Sequence, residues 1–170
     1  QLEKRLNVLS VQAGEIGPIN SIIAAVNQAL WDLRAHRAEL PLRLLLNKKA
    51  ADKIPAYASG LNPSDCIEGT DRARDQGFKA FKLKVGFGKE VDERNLKAIR
   101  SKMTTGEKLF VDANQGFSLD LASDQIGMLV DYGVDWFEEP FIATANSSEW
   151  EKFKAACSIP LAGGENLLSD

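Results

Sequence analysis

Polar residues recur through the second half of the chain at a nearly constant interval. Lys84, Asp112, Glu138 and Glu165 follow one another at spacings of 28, 26 and 27 residues, and Tyr57 lies 27 before Lys84. Each of the four sits in or just after a short apolar segment: "AFKLKVG", "KLFVDANQG", "VDWFEEP" and "IPLAGGEN". Carboxylates gathered at the end of a buried strand are partly desolvated and repel one another, so three of them together require a cation. Oxygen ligands with no cysteine or histidine nearby favour a hard divalent ion of the Mg²⁺ or Mn²⁺ kind. The single histidine, His36, belongs to an early helical stretch and reads as a surface or packing residue.

The elements that must position these groups alternate. Between the apolar segments lie three helical patterns. "VDERNLKAIRSKM" sets Leu96, Ile99 and Met103 on one side, and "LDLASDQIGMLVDYG" closes on Gly133. "SSEWEKFKAAC" opens on serines and carries Trp150, Phe153 and Cys157 on one stripe. A weaker helix, "SDCIEGTDRARDQG", follows a first strand at "IPAYASG". Strand and helix in strict alternation predict a parallel sheet buried under helices. The recurring interval is that of one βα unit. "VGFG" lacks the third glycine of a dinucleotide-binding loop. A TIM-type (β/α) barrel, whose working residues come from several strand ends at one face, fits better.

Strand alternation then sorts the side chains. Helices cover the outside of a barrel, so Phe81, Leu83 and Val85 face outward while Lys82 and Lys84 point inward. The same rule sends Val111, Ala113 and Phe137 outward, and Asp112, Asn114 and Glu138 inward. Glu165 shares a face with Leu161 and Gly163, which puts three carboxylates and two ammonium groups at one mouth. Glu139, turned away from Glu138, is expected to pair with a lysine, Lys82 or one outside this chain. Phe110, Trp136 and Trp150 read as packing residues. A role for Tyr57 has little support in the pattern.

Upstream, Pro18 opens a helical stretch in which Ile22, Val26, Ala29, Leu33 and Ala38 approximate one stripe, and Pro41 stops it. "PLRLLL" reads as a further helical turn and "NKKADK" as a linker. The 170 residues, 44% hydrophobic and 26% charged, suit an ordinary globular chain. A net charge of −3 gives no basic footprint, which argues against nucleic acid or anionic membrane as partners. No apolar run reaches the roughly 20 residues that span a bilayer. Two cysteines far apart, Cys66 and Cys157, read as free thiols, and a cytoplasmic location is expected.

"KLKVG", "VDANQG", "FEEP" and "GGEN", in that order and spacing, resemble the enolase superfamily in its mandelate racemase/muconate lactonizing branch. "NQALWDLRAHRAELPLRLLL" is similar to the helix joining that family's capping domain to its barrel. The resemblance implies that Asp112, Glu138 and Glu165 ligate Mg²⁺ and that Lys84 is the base. Lys82 would sit beside the carboxylate of a small substrate, and Asn114 near the substrate or the metal shell. Removing a proton α to a carboxylate creates an enediolate with two negatively charged oxygens, which a cation offsets. Lys84 must be neutral to accept that proton, and the charge of Lys82 and of the metal would help; enolase-type sites of this kind are one of the established patterns of tuned acid–base chemistry.

A third ligand that is Glu within "GEN" leans toward the mandelate racemase side, and dehydration of a hydroxy acid such as an aldonate or aldarate is the reaction expected first. Racemisation, epimerisation or cycloisomerisation from the same half-site is the alternative, and a metal-binding relative without turnover is a third. The expected division is a helical C-terminal part of a capping domain over residues 1–50 and the first five βα units of a barrel over 51–170. A complete barrel has eight strands over about 250 residues. The expectation is therefore an internal segment of a longer polypeptide, homo-oligomeric at full length.

Overall fold

The computed structural model describes Val8 and residues 16–166, in which two compact units meet in sequence between Ile54 and Pro55. In the first, α1 (Ile16–Ala38) carries Pro18 in the first turn described, where its missing N–H costs no intrahelical bond. Pro41 precedes the short α2 (Leu42–Leu46), and its carbonyl accepts from the Leu44 N–H at 2.9 Å. The linker is held by Arg43, which donates to the Ala50 carbonyl at 3.2 Å and pairs with Asp52. The stripe expected on α1 is not the buried one. Ile22, Val26 and Leu33 are exposed, whereas Ile23 and Ala35 are buried. Apolar residues lie all round this helix, so periodicity alone does not choose a face.

The second unit alternates strand and helix throughout. Its order is β1 (Ala58–Leu61), α3 (Cys66–Asp75), β2 (Ala80–Lys84), α4 (Lys89–Lys102) and β3 (Lys108–Asp112). There follow α5 (Leu119–Asp131), β4 (Trp136–Glu138), α6 (Ser147–Ala156) and β5 (Leu161–Ala162). All neighbouring strands are parallel, in the spatial order β1-β2-β3-β4-β5. This is the α/β arrangement of a partial TIM-type barrel, as the sequence predicts. Register aligns Lys84 with Asp112, Asp112 with Glu138, and Glu138 with Ala162. The groups of interest therefore stand in one row at the carboxyl ends of the strands.

The outward face is the core. Phe81, Leu83, Leu109, Val111 and Phe137 are fully buried against Leu96 and Ile99 of α4, Ala122 and Leu129 of α5, and Phe153 of α6. Each such side chain contributes about 1.5–3 kcal/mol on burial, so this face fixes the inward direction of Lys82, Lys84 and Asp112.

Helix ends are specified locally. Ser118 Oγ accepts from the Leu121 N–H at the start of α5. At its end Gly133, at φ +63°, lets its own N–H reach Val130 O and the Val134 N–H reach Leu129 O. Before α6, Asn146 and Glu149 form a reciprocal capping box, one residue ahead of the expected serines. At the opposite end of the sheet, buried Glu107 takes two bonds from the Arg74 guanidinium, 2.8 and 3.2 Å. Cys66 and Cys157 are free thiols. Among the described residues no helix is long and apolar enough to cross a membrane.

Candidate active site

Five of the six residues singled out by the sequence converge. Lys82 Nζ lies 2.7 Å from Glu138 Oε1 and 3.2 Å from Asp112 Oδ2. Lys84 Nζ lies 2.7 Å from the same Asp112 oxygen and 2.5 Å from Asn114 Oδ1. Asp112 Oδ1 accepts from the Asn114 N–H at 2.9 Å. Strands β2, β3 and β4 thus bring two ammonium groups and two carboxylates into one contiguous cluster. Asp112 is 1% exposed and Lys82 5%, so these charges interact with little screening by water.

The electrostatics follow from those contacts. Burial pushes the Asp112 carboxyl up, but hydrogen bonds from Lys84, the Asn114 N–H and Lys82 outweigh it and hold it below the usual range. Burial likewise disfavours charge on Lys82. The bonds to Glu138 and Asp112 overcome that effect and raise its pKa, so Lys82 stands as an ammonium group.

One register step below the charged row lies an aromatic floor that the sequence reading treated only as packing. Phe110 and Trp136 stack with ring centroids 3.7 Å apart, and Tyr57 meets both rings edge-on at 5.5 and 5.2 Å. Lys82 Nζ stands 5.4 Å from the centre of the Tyr57 ring. The signal was present in the alternation, since Phe110 precedes Asp112 by two and Trp136 precedes Glu138 by two. Of these rings Phe110 is buried, Trp136 half-buried and Tyr57 exposed.

Two expectations require correction. The three carboxylates do not converge in this structure. Strand β5 stops at Ala162, Gly163 and Gly164 follow with Gly164 at φ +130°, and Glu165 is exposed in the next turn. Strand alternation therefore does not extend to Glu165, and among the described residues no three metal-ligating side chains stand together. Nor does Glu139 pair with Lys82, which lies on Glu138 instead. Glu139 is at φ +41°, outside the strand conformation, and its carboxylate accepts from Asn166 Nδ2. Asn114 and Gln115 are also left-handed, at φ +43° and +61°. Non-glycine residues in this region carry local strain that concentrates at functional sites.

The residues present suit a hard divalent ion in their donor chemistry. Asp112 and Glu138 offer carboxylate oxygens, and those oxygens already bracket one cation, the Lys82 ammonium. Glu165, a further carboxylate, follows β5 at the same end of the sheet, three residues past the strand, and stands apart from these two.

Comparison with known proteins places this geometry in context. Residues 65–169 match the family model described as enolase C-terminal domain-like. The chain is 31% identical over 159 residues to a D-galactarolactone cycloisomerase of Agrobacterium fabrum, covering 89% of this chain and 42% of that protein. It superposes on the crystal structure of a mandelate racemase/muconate lactonizing enzyme from Bordetella bronchiseptica RB50 with a TM-score of 0.90 and 42% identity. That match covers 98% of this chain and 46% of the other. A similar structure is an enolase from Bradyrhizobium complexed with magnesium and mandelic acid, with a TM-score of 0.86, 31% identity, and coverage of 97% and 46%. Cycloisomerases, epimerases, a racemase and a dehydratase are all among the similar proteins. The chain spans less than half the length of the curated relatives it matches.

Proposed function

Because this chain belongs to the enolase C-terminal domain-like family, in the mandelate racemase/muconate lactonizing branch of the enolase superfamily, we propose that it supplies the proton-abstracting half of an enzyme acting α to a carboxylate. The observation that carries the reading is the meeting of Lys82, Lys84, Asp112 and Glu138 at three adjacent strand ends. In it, Asp112 and Glu138 would hold a divalent ion of the Mg²⁺ kind, with Glu165 joining them only once the segment after β5 carries it to the other two. When bound, such an ion supplies positive charge at the substrate's carboxylate oxygens, where negative charge grows as the α-proton leaves.

The chain's own groups do the rest. Lys84 receives the α-proton at Nζ, and Asn114, already its hydrogen-bond partner, keeps that nitrogen aimed. Lys82, held as an ammonium group over the aromatic floor, faces the substrate carboxylate as a fixed positive charge. Loss of a hydroxyl from the neighbouring carbon makes the outcome a dehydration, and a hydroxy acid of the aldonate or aldarate type is the substrate class. A second reading, isomerisation of a sugar-acid lactone or epimerisation, draws on the cycloisomerase and epimerase names of the curated relatives.

The test uses the protein at its full length. Proton NMR in D₂O with Mg²⁺ and a panel of aldonates, aldarates and their lactones reads exchange of the α-hydrogen and the product together. Lys84→Ala is expected to slow exchange by about 10²–10⁴-fold. A keto acid lacking one hydroxyl identifies dehydration, and exchange without loss of hydroxyl identifies the second reading. Undiminished exchange in Lys84→Ala would refute both.

A further inference from the structure

The loops that leave β3 and β4 are joined beyond the end of the sheet. The Ala113 N–H donates to the Glu138 carbonyl at 3.0 Å, the Gln115 N–H to the Glu139 carbonyl at 2.8 Å, and the Phe117 N–H to the Pro140 carbonyl at 3.2 Å. Along this seam the chain makes a tight turn, closed by the Gly116 N–H on the Ala113 carbonyl at 2.8 Å. Its two central residues, Asn114 and Gln115, both have positive φ, the combination that a type I′ turn requires. Asparagine tolerates that conformation and glycine takes it freely, whereas glutamine is strained there. Gln115 makes a bond that a glycine could not. Its Oε1 accepts from the Ala143 N–H at 2.8 Å, in the loop between β4 and α6.

The other central residue carries the turn's contact with the charged row. The Asn114 N–H donates to Asp112 Oδ1 at 2.9 Å, and Asn114 Oδ1 accepts from Lys84 Nζ at 2.5 Å. Asn114 is exposed, so packing does little to hold it and the bonds of the turn must. Gln115, half-buried beside it, ties that turn to the neighbouring loop through both its backbone and its side chain. We infer that Gln115 is a positioning residue for Lys84: its side-chain bond to the loop after β4 braces the strained turn in the arrangement that sets the Asn114 amide against Lys84 Nζ. This inference rests on the reading of Lys84 as the base.

Crystal structures of Gln115→Met and Gln115→Gly in the full-length protein read the Asn114–Lys84 contact directly. Exchange of the α-hydrogen in D₂O with Mg²⁺ reads its consequence, with whichever aldonate or aldarate the wild type exchanges fastest. Methionine keeps the length of the side chain without its oxygen, and glycine removes the strain together with the bond. Both variants are expected to part Asn114 Oδ1 from Lys84 Nζ beyond hydrogen-bond distance. Both should also lower the exchange rate at saturation by about 10–100-fold, the range for partners that orient a working group, with the half-saturating concentration little changed. Gln115→Glu keeps an acceptor for the Ala143 N–H and should restore the contact and most of the rate. In an Asn114→Ala background Gln115→Met should slow exchange no further, because both act through one contact. Gln115→Gly, free of backbone strain, carries the test should Gln115→Met fail to fold. An intact Asn114–Lys84 contact or wild-type exchange in the glycine variant, a Gln115→Glu loss as large as that of Gln115→Met, or additive losses in the double variant would each overturn the inference. If the wild type exchanges none of the acids, or Lys84→Ala exchanges undiminished, the reading of Lys84 itself fails. The crystallographic contact then decides alone whether Gln115 positions the turn.

Discussion

Two buried carboxylates show how different cations suit different tasks. Asp112 is faced by two lysines, compact charges on flexible stems that can be drawn toward another anion. Glu107, at the other end of the sheet, is gripped by the planar fork of Arg74 and also accepts from the Thr104 N–H at 2.9 Å. The hydrogen bond from Arg74 is the largest influence on Glu107 and outweighs burial, leaving its carboxyl below the usual range. A carboxyl depressed in the folded state stabilises fully above its unfolded value and loses that contribution as pH falls through the folded value. Glu107→Gln is therefore expected to lower stability at pH 7 by about 1.5–3 kcal/mol, the range for bonds to charged groups. The gap from wild type should narrow as pH drops below about 4.3, the ordinary Glu value. Urea melts across pH 3–7 measure both, and a gap that widens in acid would contradict the assignment.

Among the elements, the ones read best from sequence were those with enough residues to express a period. Strands β2 and β3 have five residues each, and their outward apolar residues are all buried as expected. Strand β5 has two, and two glycines follow it, so the period could not reach Glu165. The left-handed turn at Glu139 was invisible for another reason: nothing in a glutamate announces a positive φ. For α1, apolar residues on several sides left the buried face undetermined. Caps were partly legible. Gly133 ends α5 as its type suggests, while the start of α6 belongs to Asn146 rather than to the serines. Asn146→Ala, which removes the side-chain half of that capping box, is expected to cost about 1 kcal/mol. A denaturant midpoint unchanged from wild type would show that α6 does not depend on this cap.

At the scale of the molecule, membership in the family and the partial barrel stand on the parallel sheet and on structural similarity over nearly the whole chain. The chain spans less than half the length of its curated relatives, so dehydration, epimerisation and cycloisomerisation remain readings of the whole protein, put forward as a proposal only. The stability of the second unit, by contrast, is set by its own core and by the ion pairs already made. Chelation of divalent ions by EDTA is expected to leave the far-UV circular dichroism and a cooperative melt intact. The melting temperature should fall only by the linkage contribution of the lost ligand. Collapse of the folded signal on chelation would contradict this. The reason lies in the pairing of Lys82 and Lys84 with Asp112 and Glu138: opposite signs cancel within the polypeptide itself. Shape and readiness are thereby uncoupled, and under the proposed function a spell of magnesium scarcity would silence such a protein without dismantling it.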